Sequence, residues 1–382
     1  MDYITLNNNA KMPILGFGMM RLPCPDGDDS HVDEREAFRL TDYAIEQGVN
    51  YFDTAWMYHG GRSEEVTGRC LNRHPRDSFY LATKFPGYVP EEARRVEKVF
   101  ETQLRRCGVD YFDFYLLHNV YEKSLNVYLD DETYGILPYL LKQKANGRIR
   151  HLGFSSHGTV ETMQRFLEHC GDKMEFCQIQ LNYLDWHFQE AEKKVALLNR
   201  HHLPIWVMEP LRGGRLAALP PADTRVLKAL RPKESIPAWS FRFLQSVPGV
   251  TVVLSGMSDM AQLKENILTF SEPKPLSDAE KKTLISIADR MTSRGGVPCT
   301  GCRYCVSYCP LGLNIPYLLA QYNEHRFTDG GWMAEMMIDA LPEDKRPAAC
   351  LGCRNCETVC PQQIRISEIL AKFGRTDRKP QP

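Results

Sequence analysis

Neither sign of charge dominates this sequence of 382 residues: 47 lysines and arginines meet 48 aspartates and glutamates, a formal net charge of −1. That near-neutrality removes the electrostatic case for a nucleic-acid or anionic-membrane partner, which rests on an excess of Lys and Arg. Long apolar runs are missing too. No stretch reaches the roughly 20 apolar residues that span a bilayer. The opening MDYITLNNNAKMP has neither a basic segment nor an apolar one of the kind that directs export. The expectation is a cytoplasmic protein without nucleic-acid or membrane partners. Low-complexity tracts are absent. No GxGxxG follows the first strand-like segment, which weakens a doubly wound dinucleotide-binding sheet. Cysteine is sparse over most of the chain and concentrated at one place, with eight of the 13 between Cys299 and Cys360.

What is present is an alternation. Three short apolar runs, YFDTAWMY (Tyr51–Tyr58), FYLATK (ending at Lys84) and FDFYLLH (ending at His118), each carry ionisable residues just where a helical pattern begins. That order reads as strand, loop, helix. Continued along the chain, it predicts strands at 14–20, 51–54, 79–84, 111–117, 150–155, 175–181, 204–208 and 250–254. Helices are predicted near 33–47, 63–72, 91–107, 131–146, 159–170, 186–201, 236–246 and 259–269. Eight βα units in about 270 residues match an α/β fold of the (βα)8 TIM-barrel type. A hairpin over 2–13, turning at Asn7-Asn8-Asn9, precedes it. The glycine-containing ILGFGMM reads as a buried strand approached by a ligand. A polar helix near 277–291 leads into SRGGVP, which places a boundary near 290–298 and divides the chain into a barrel (1–290) and a smaller, mainly helical domain (291–382).

In a parallel barrel the C-terminal strand ends form one face, so Asp53, Tyr58, Lys84 and His118 would converge there. A tyrosine is a weak acid, with a reference pKa of about 10. A nearby ammonium such as Lys84 favours its phenolate and makes it a better proton donor. Asp53 would hold that ammonium by a charge-assisted hydrogen bond, and His118 would donate to a substrate oxygen. Singly, each residue has a plainer reading as a helix cap, a packing aromatic or a solvent-facing base. Together and in barrel order they suit protonation of a carbonyl oxygen while hydride reaches its carbon.

The stretches DTAWMYHGGRSEEVTGRCL, LATK and LLH, with the eight units, resemble the aldo-keto reductases over about residues 2–290. The resemblance implies that Asp53, Tyr58, Lys84 and His118 act as a tetrad in NAD(P)H-dependent carbonyl reduction, with Tyr58 as general acid. It also implies that Ser155, Ser156 and Gln178 hold the nicotinamide amide. Ser255, Gly256, Met257, Gln262, Glu265 and Asn266, in LSGMSDMAQLKEN, would cradle the phosphate and adenine, where a helix N-terminus suits an anion. Two departures leave NAD against NADP open. Met208 stands where the family stacks an aromatic on the nicotinamide, and 255–262 contains no Lys or Arg.

Cys299-x2-Cys302-x2-Cys305-x3-Cys309-Pro310 recurs as Cys350-x2-Cys353-x2-Cys356-x3-Cys360-Pro361. This is the bacterial run for two [4Fe–4S] clusters, in which the fourth cysteine ligates the other cluster. Cys299, Cys302, Cys305 and Cys360 are assigned to one cluster, and Cys350, Cys353, Cys356 and Cys309 to the other. Thiolates suit iron as soft donors. Tetrahedral zinc is the alternative for CxxC pairs, and disulfides are a poor reading in the expected compartment. The spacer, with helical YLLAQYNEHRF and GWMAEMMIDAL, points to a helical ferredoxin-like type. Cys24, Cys70, Cys107, Cys170 and Cys177 read as packing.

Nicotinamide delivers two electrons as hydride, whereas clusters pass one at a time. Three functions follow. The first is an NAD(P)H-linked carbonyl or alcohol oxidoreductase whose clusters stabilise it or link it to a redox partner such as a ferredoxin. The second is a cluster-fed one-electron reductase of a carbonyl, and the third a non-enzymatic electron carrier. Trp56, His59, Tyr183, Trp186 and Glu209 are candidate pocket walls for a polar, hydroxylated substrate.

Overall fold

The computed structural model describes residues 3–5, 11–121, 124–293, 296–327, 334–335, 338 and 341–376. The chain folds as two compact units, one of Met1–Leu211 with Ala217–Lys281, the other of Arg212–Leu216 with Lys282–Pro382. Among the described residues no helix is long and apolar enough to cross a membrane.

The first unit starts with an antiparallel pair, β1 (Tyr3–Thr5) and β2 (Lys11–Pro13). The predicted Asn7–Asn9 turn lies outside the described residues. Then come β3 (Leu15–Gly18), β4 (Tyr51–Asp53), β5 (Tyr80–Phe85), β6 (Phe112–Leu117), β7 (Ile149–Ser156), β8 (Cys177–Gln180), β9 (Ile205–Met208) and β10 (Val250–Ser255). All eight pair in parallel with their chain neighbours, and β10 returns to β3 with Val253 opposite Leu15, closing the barrel. Every residue of β4, β6 and β8 is buried, because strands covered on both faces read as continuous apolar runs rather than alternating ones.

Aromatics fill the interior. Trp206 stacks on Phe176 (3.8 Å between centroids) and meets Phe114 and Tyr51 edge-on, while Met12 of β2 joins the same cluster. This packing explains Gly16 in β3. A Cβ there would lie 2.7 Å from Tyr51 Cδ1 and 2.8 Å from Leu254 Cδ2, so the barrel's own side chains, rather than a ligand, exclude anything larger.

The helical layer follows the predicted order, started by side-chain caps: Asp33 for Glu34–Glu46, Thr159 for Val160–Cys170, Ser235 for Ile236–Gln245 and Asp259 for Met260–Ser271. It differs in detail. The 91–107 helix breaks into Pro90–Ala93 and Val96–Cys107. The 131–146 helix shrinks to Ile136–Ala145, begun by Gly135 at φ 59°, with a separate turn at Leu125–Leu129. The 186–201 helix divides into Asp185–Phe188 and Ala191–Arg200 around Glu190 at φ 54°. Pro221–Leu230 is a helix that was not predicted, and Leu227 is its one buried residue.

The second unit has its own core of Val297, Leu313, Ile315, Leu318, Leu319, Ile364, Ile366, Leu370 and Phe373. Two helices supply most of it, Ile315–Phe327 and Ile366–Thr376, with Tyr322 edge-on to Phe373 at 5.6 Å. Asn323 closes a loop onto the first helix, accepting from Val297 N (2.6 Å) and donating to Val297 O (2.7 Å). Most of the second predicted spacer helix lies outside the described residues.

Candidate active site

Strand ends bring the four predicted residues together at one face of the barrel. Asp53 ends β4, Lys84 lies in β5 one place before its end, His118 directly follows β6, and Tyr58 opens a tight turn after β4. Lys84 is the hub. Its Nζ donates to Asp53 Oδ1, to Thr54 O (2.7 Å) and to Tyr58 Oη (3.3 Å), and lies 4.9 Å from the Tyr58 ring centroid. Asp53 and Lys84 are sealed from water, and Tyr51 Oη donates to Asp53 Oδ2 at 3.3 Å. Burial pushes the Asp53 carboxyl up and the Lys84 ammonium down, and each opposes the other's shift through its charge and their hydrogen bond.

His118 is fixed by its main chain. Its N–H donates to Phe85 O (3.0 Å) and its carbonyl accepts from Tyr128 Oη (2.6 Å). The ring stands edge-on to Tyr58 (6.1 Å) and to Tyr88 (5.2 Å). Burial first, then the charges of Lys84 and His157, hold its pKa well below 6.5, so the imidazole is neutral. A neutral imidazole carries one N–H to donate and no charge to compete with Lys84.

The predicted cofactor residues fall into two groups. Ser155 and Gln178 are opposed across β7 and β8. Among the described residues Gln178 Oε1 is buried without a hydrogen-bond partner. Ser155 Oγ accepts from Asn119 N (2.9 Å), and Ser156 Oγ donates to Val120 O (2.7 Å). Both hydroxyls therefore fasten the loop after His118. Ser255, Gly256, Met257, Gln262, Glu265 and Asn266 lie together after β10. Asn266 Nδ2 donates to Ser255 Oγ (3.1 Å), Gln262 Oε1 accepts from Ser258 N (3.0 Å), Met257 is fully buried, and Glu265 Oε1 is a second buried atom without a partner. Asp259 caps this helix by accepting from Gln262 N at 2.9 Å, which puts a carboxylate where an anion was expected.

The proposed pocket walls are less uniform. His59 is buried, with Nε2 accepting from Leu22 N (3.3 Å) and Nδ1 against Asp29 O (2.8 Å), so it is a tie between loops. With Cys24 and Asp29 it forms a group of three possible metal ligands. The Leu22 N–H occupies Nε2 and leaves the proton on Nδ1, facing Asp29 and Cys24, which is the wrong tautomer for a cation there. Trp56 turns to the helical layer, with the Arg106 guanidinium 4.1 Å above its ring. Tyr183 is buried, and Trp186 packs edge-on to Phe243. Glu209 sits after β9 at φ 59°.

In the second unit the eight cysteines form two quartets. Cys299, Cys302, Cys305 and Cys360 line one cavity; Cys309, Cys350, Cys353 and Cys356 line another, so each draws its fourth cysteine from the other run. The two loops share a backbone. Gly301 and Arg303 have φ of 70° and 68°, and Gly352 and Arg354 have 69° and 61°. Among the described residues no three of these sulfurs lie within 4.8 Å of one another. Four soft donors drawn from two such runs fit an iron–sulfur cluster. Burial first, then the neighbouring cysteines, pushes the Cys305 thiol up, and burial, then Glu357 and the neighbouring cysteines, pushes the Cys356 thiol up to about 12, so a bound cation is what would hold them as thiolates.

Comparison with known proteins agrees with both units. The sequence profile of the Aldo/keto reductase family matches residues 14–289. The chain belongs to that family. A 4Fe-4S dicluster domain matches residues 298–366. Among curated relatives of this aldo/keto reductase, an L-galactose dehydrogenase of Arabidopsis thaliana is 26% identical over 310 residues, 74% of this chain and 91% of that one. An uncharacterised oxidoreductase of Bacillus subtilis is 25% identical over 285 residues, 66% and 88% of the two chains. A solved aldo-keto reductase of Bacillus halodurans in its holo form has the same fold, with TM-score 0.60, 24% identity and coverage of 75% and 96%. An aldo/keto reductase from Klebsiella pneumoniae, solved with NADP and acetate, gives TM-score 0.59 at 23% identity, covering 76% and 94%.

Three residues of this aldo/keto reductase stand beside the site without having been singled out in the sequence. Arg21 follows β3, and its carbonyl accepts from Ser258 Oγ (2.8 Å). A Cβ on Gly256 would lie 2.7 Å from Arg21 Cβ and Cγ, so the stem of this side chain packs on the start of the segment after β10. The signal available was an arginine directly after the first barrel strand. Asn119 holds φ 59° beside His118 while buried, a strained position of the kind found at functional sites. Glu64, fully buried behind β5, had no signal to separate it from exposed Glu65.

Proposed function

We propose that the barrel, residues 1–290, interconverts a carbonyl and an alcohol with NAD(P)H, and that residues 291–382 hold two [4Fe–4S] clusters. The observation that carries the barrel reading is the Lys84 ammonium lying between the Asp53 carboxylate and the Tyr58 hydroxyl. Tyr58 Oη holds the proton destined for the substrate oxygen. Lys84 favours the phenolate left behind, and Asp53 keeps Lys84 charged and aimed. Neutral His118 orients the carbonyl through its N–H. Nicotinamide, when bound, supplies or accepts the hydride. Ser155, Ser156, Gln178, Ser255, Gly256, Met257, Gln262, Glu265 and Asn266 would hold it. The unpartnered Gln178 Oε1 suits a carboxamide N–H, and Glu265 Oε1 suits an amine. Arg21 is the nearby base for its phosphates. A small hydroxylated carbonyl compound is the proposed substrate, in keeping with the relative named for L-galactose.

Cys299, Cys302, Cys305 and Cys360 would hold one cluster, and Cys309, Cys350, Cys353 and Cys356 the other. Such clusters supply single-electron transfer, and the partner would be a ferredoxin or another one-electron carrier. Asp259 at the N-terminus of the Met260–Ser271 helix favours a second reading, in which nicotinamide does not bind and the same tetrad protonates a carbonyl reduced one electron at a time. Anaerobic titration with NADH and with NADPH separates the two, following cluster absorbance and nicotinamide fluorescence together. Tight binding of either nucleotide supports the first reading, and no binding of either overturns it in favour of the second.

A further inference from the structure

We infer that Glu64, acting through Gln103 and Arg106, is a positioning residue that sets the Tyr58–Lys84 contact from behind the barrel wall. The inference rests on the roles given above to Tyr58 and Lys84.

Glu64 lies on the Ser63–Leu71 helix and is fully buried. A buried carboxylate is expensive unless its oxygens are satisfied, and here every partner leads toward the site. Oε1 accepts from Thr83 Oγ1 (2.7 Å) and from Gln103 Nε2 (2.6 Å). Oε2 accepts from Arg106 Nη1 (3.2 Å). The Gln103 amide then donates to the carbonyl of Lys84 itself at 3.0 Å, and its oxygen accepts from Tyr115 Oη. One arm thus grips the backbone carbonyl of Lys84 and the hydroxyl of its neighbour Thr83. The other runs through Arg106, whose guanidinium covers Trp56, the residue midway between Asp53 and Tyr58. The two arms hold the two sides of the Tyr58–Lys84 hydrogen bond.

The scaffold of this hub is rigid. A Cβ on Gly68 would fall 2.5 Å from Cys107 O, so the Glu64 helix and the Gln103 helix meet backbone to backbone. The negative charge of Glu64 also favours the Lys84 ammonium against the burial that opposes it.

The arms can be cut separately. Gln103→Met removes the donor to Lys84 O. Glu64→Gln can keep its oxygen toward Thr83 and Gln103 while its new NH2 faces the Arg106 donor, so it loosens the Trp56 arm. The assay is NADPH-dependent reduction of nitrobenzaldehyde by the cluster-loaded full chain, measured in a double-mutant cycle with Lys84→Met. A misplacement near one ångström lowers the rate about 100-fold. Gln103→Met should therefore lower kcat about 10- to 100-fold with KM for the aldehyde within about twofold. In the Lys84→Met background the further loss should be less than about twofold, because the group it positions is gone. Equal losses in both backgrounds, or a loss carried by KM, overturn the inference. Crystal structures of Gln103→Met and Glu64→Gln test it without turnover: the Lys84–Tyr58 contact should lengthen in both, and an unchanged contact overturns it. Should the wild-type chain fail to reduce the aldehyde, or Tyr58→Phe leave its rate unaltered, the carbonyl-reduction reading falls, and the crystallographic contact still decides the hub.

Discussion

Replacing Lys84 with methionine removes the charge at the centre of the site while nearly preserving volume. Both ends of the ion pair are sealed, with side-chain exposures of 1% at Lys84 and 3% at Asp53. Removing one partner of such a pair leaves a buried charge uncompensated and costs about 3–5 kcal/mol. For a domain near this size each kcal/mol moves the melting temperature by roughly 2–4 °C. The barrel transition should therefore fall by about 10 °C at neutral pH. The pH dependence has a definite sign. Burial already pushes the Asp53 carboxyl up, and without Lys84 nothing of opposite charge restrains it. A carboxyl whose folded pKa exceeds its unfolded value, about 3.9, binds more protons when folded. The deficit is then absent below about pH 4, grows as the pH rises toward the folded pKa, and is constant above it. Adding Asp53→Asn should recover most of the loss. The assay is circular dichroism melting of anaerobic, cluster-loaded protein at about pH 5 and pH 8, with visible absorbance reporting cluster loss separately. A Lys84→Met variant that melts within about 2 °C of wild type at pH 8, or a deficit that grows toward acid, would refute the reasoning.

Tyr58→Phe should lower kcat for carbonyl reduction about 10²- to 10⁴-fold, the range for losing a general acid. Its melting temperature should barely change, because Lys84 keeps Asp53 and Thr54 O as partners. Cys353→Ser and Cys309→Ser, which line the same cavity, should each reduce iron from about eight to about four atoms per chain and remove the same paramagnetic signal. Cys302→Ser should remove the other signal, and a shared signal for Cys309→Ser and Cys302→Ser would refute the cross-ligation. Gly68→Ala should destabilise the barrel by about 1–3 kcal/mol in urea denaturation, since its methyl meets the Cys107 carbonyl. A neutral result would mean that the two helices are not in direct backbone contact.

The barrel was legible because strands buried on both faces must be apolar throughout. FDFYLL and YLATKF stand out from any surface segment, and the charges at their ends mark where the strand leaves the wall. Helix limits were less legible. Gly135 and Glu190 begin helices from left-handed conformations inside stretches whose polarity reads as continuous helix. Pro221–Leu230, which buries only Leu227, was not predicted at all. The tetrad positions could be read because each is tied to a strand end. The engagement of Ser155 and Ser156 with the loop after His118 could not, because it depends on which neighbouring strand end lies within hydrogen-bonding reach.

By itself the sequence determined the order of eight βα units, the residue types at their ends and the two cysteine runs. Burial periodicity and ligand spacing are local properties written in consecutive residues. Tertiary structure alone decided that Glu64, Gln103, Arg106 and Lys84 share one network and that Trp56 turns outward. Those facts depend on which distant surfaces meet when helices dock, and a polar side chain on a helix carries no local mark of whether water or a neighbour will face it.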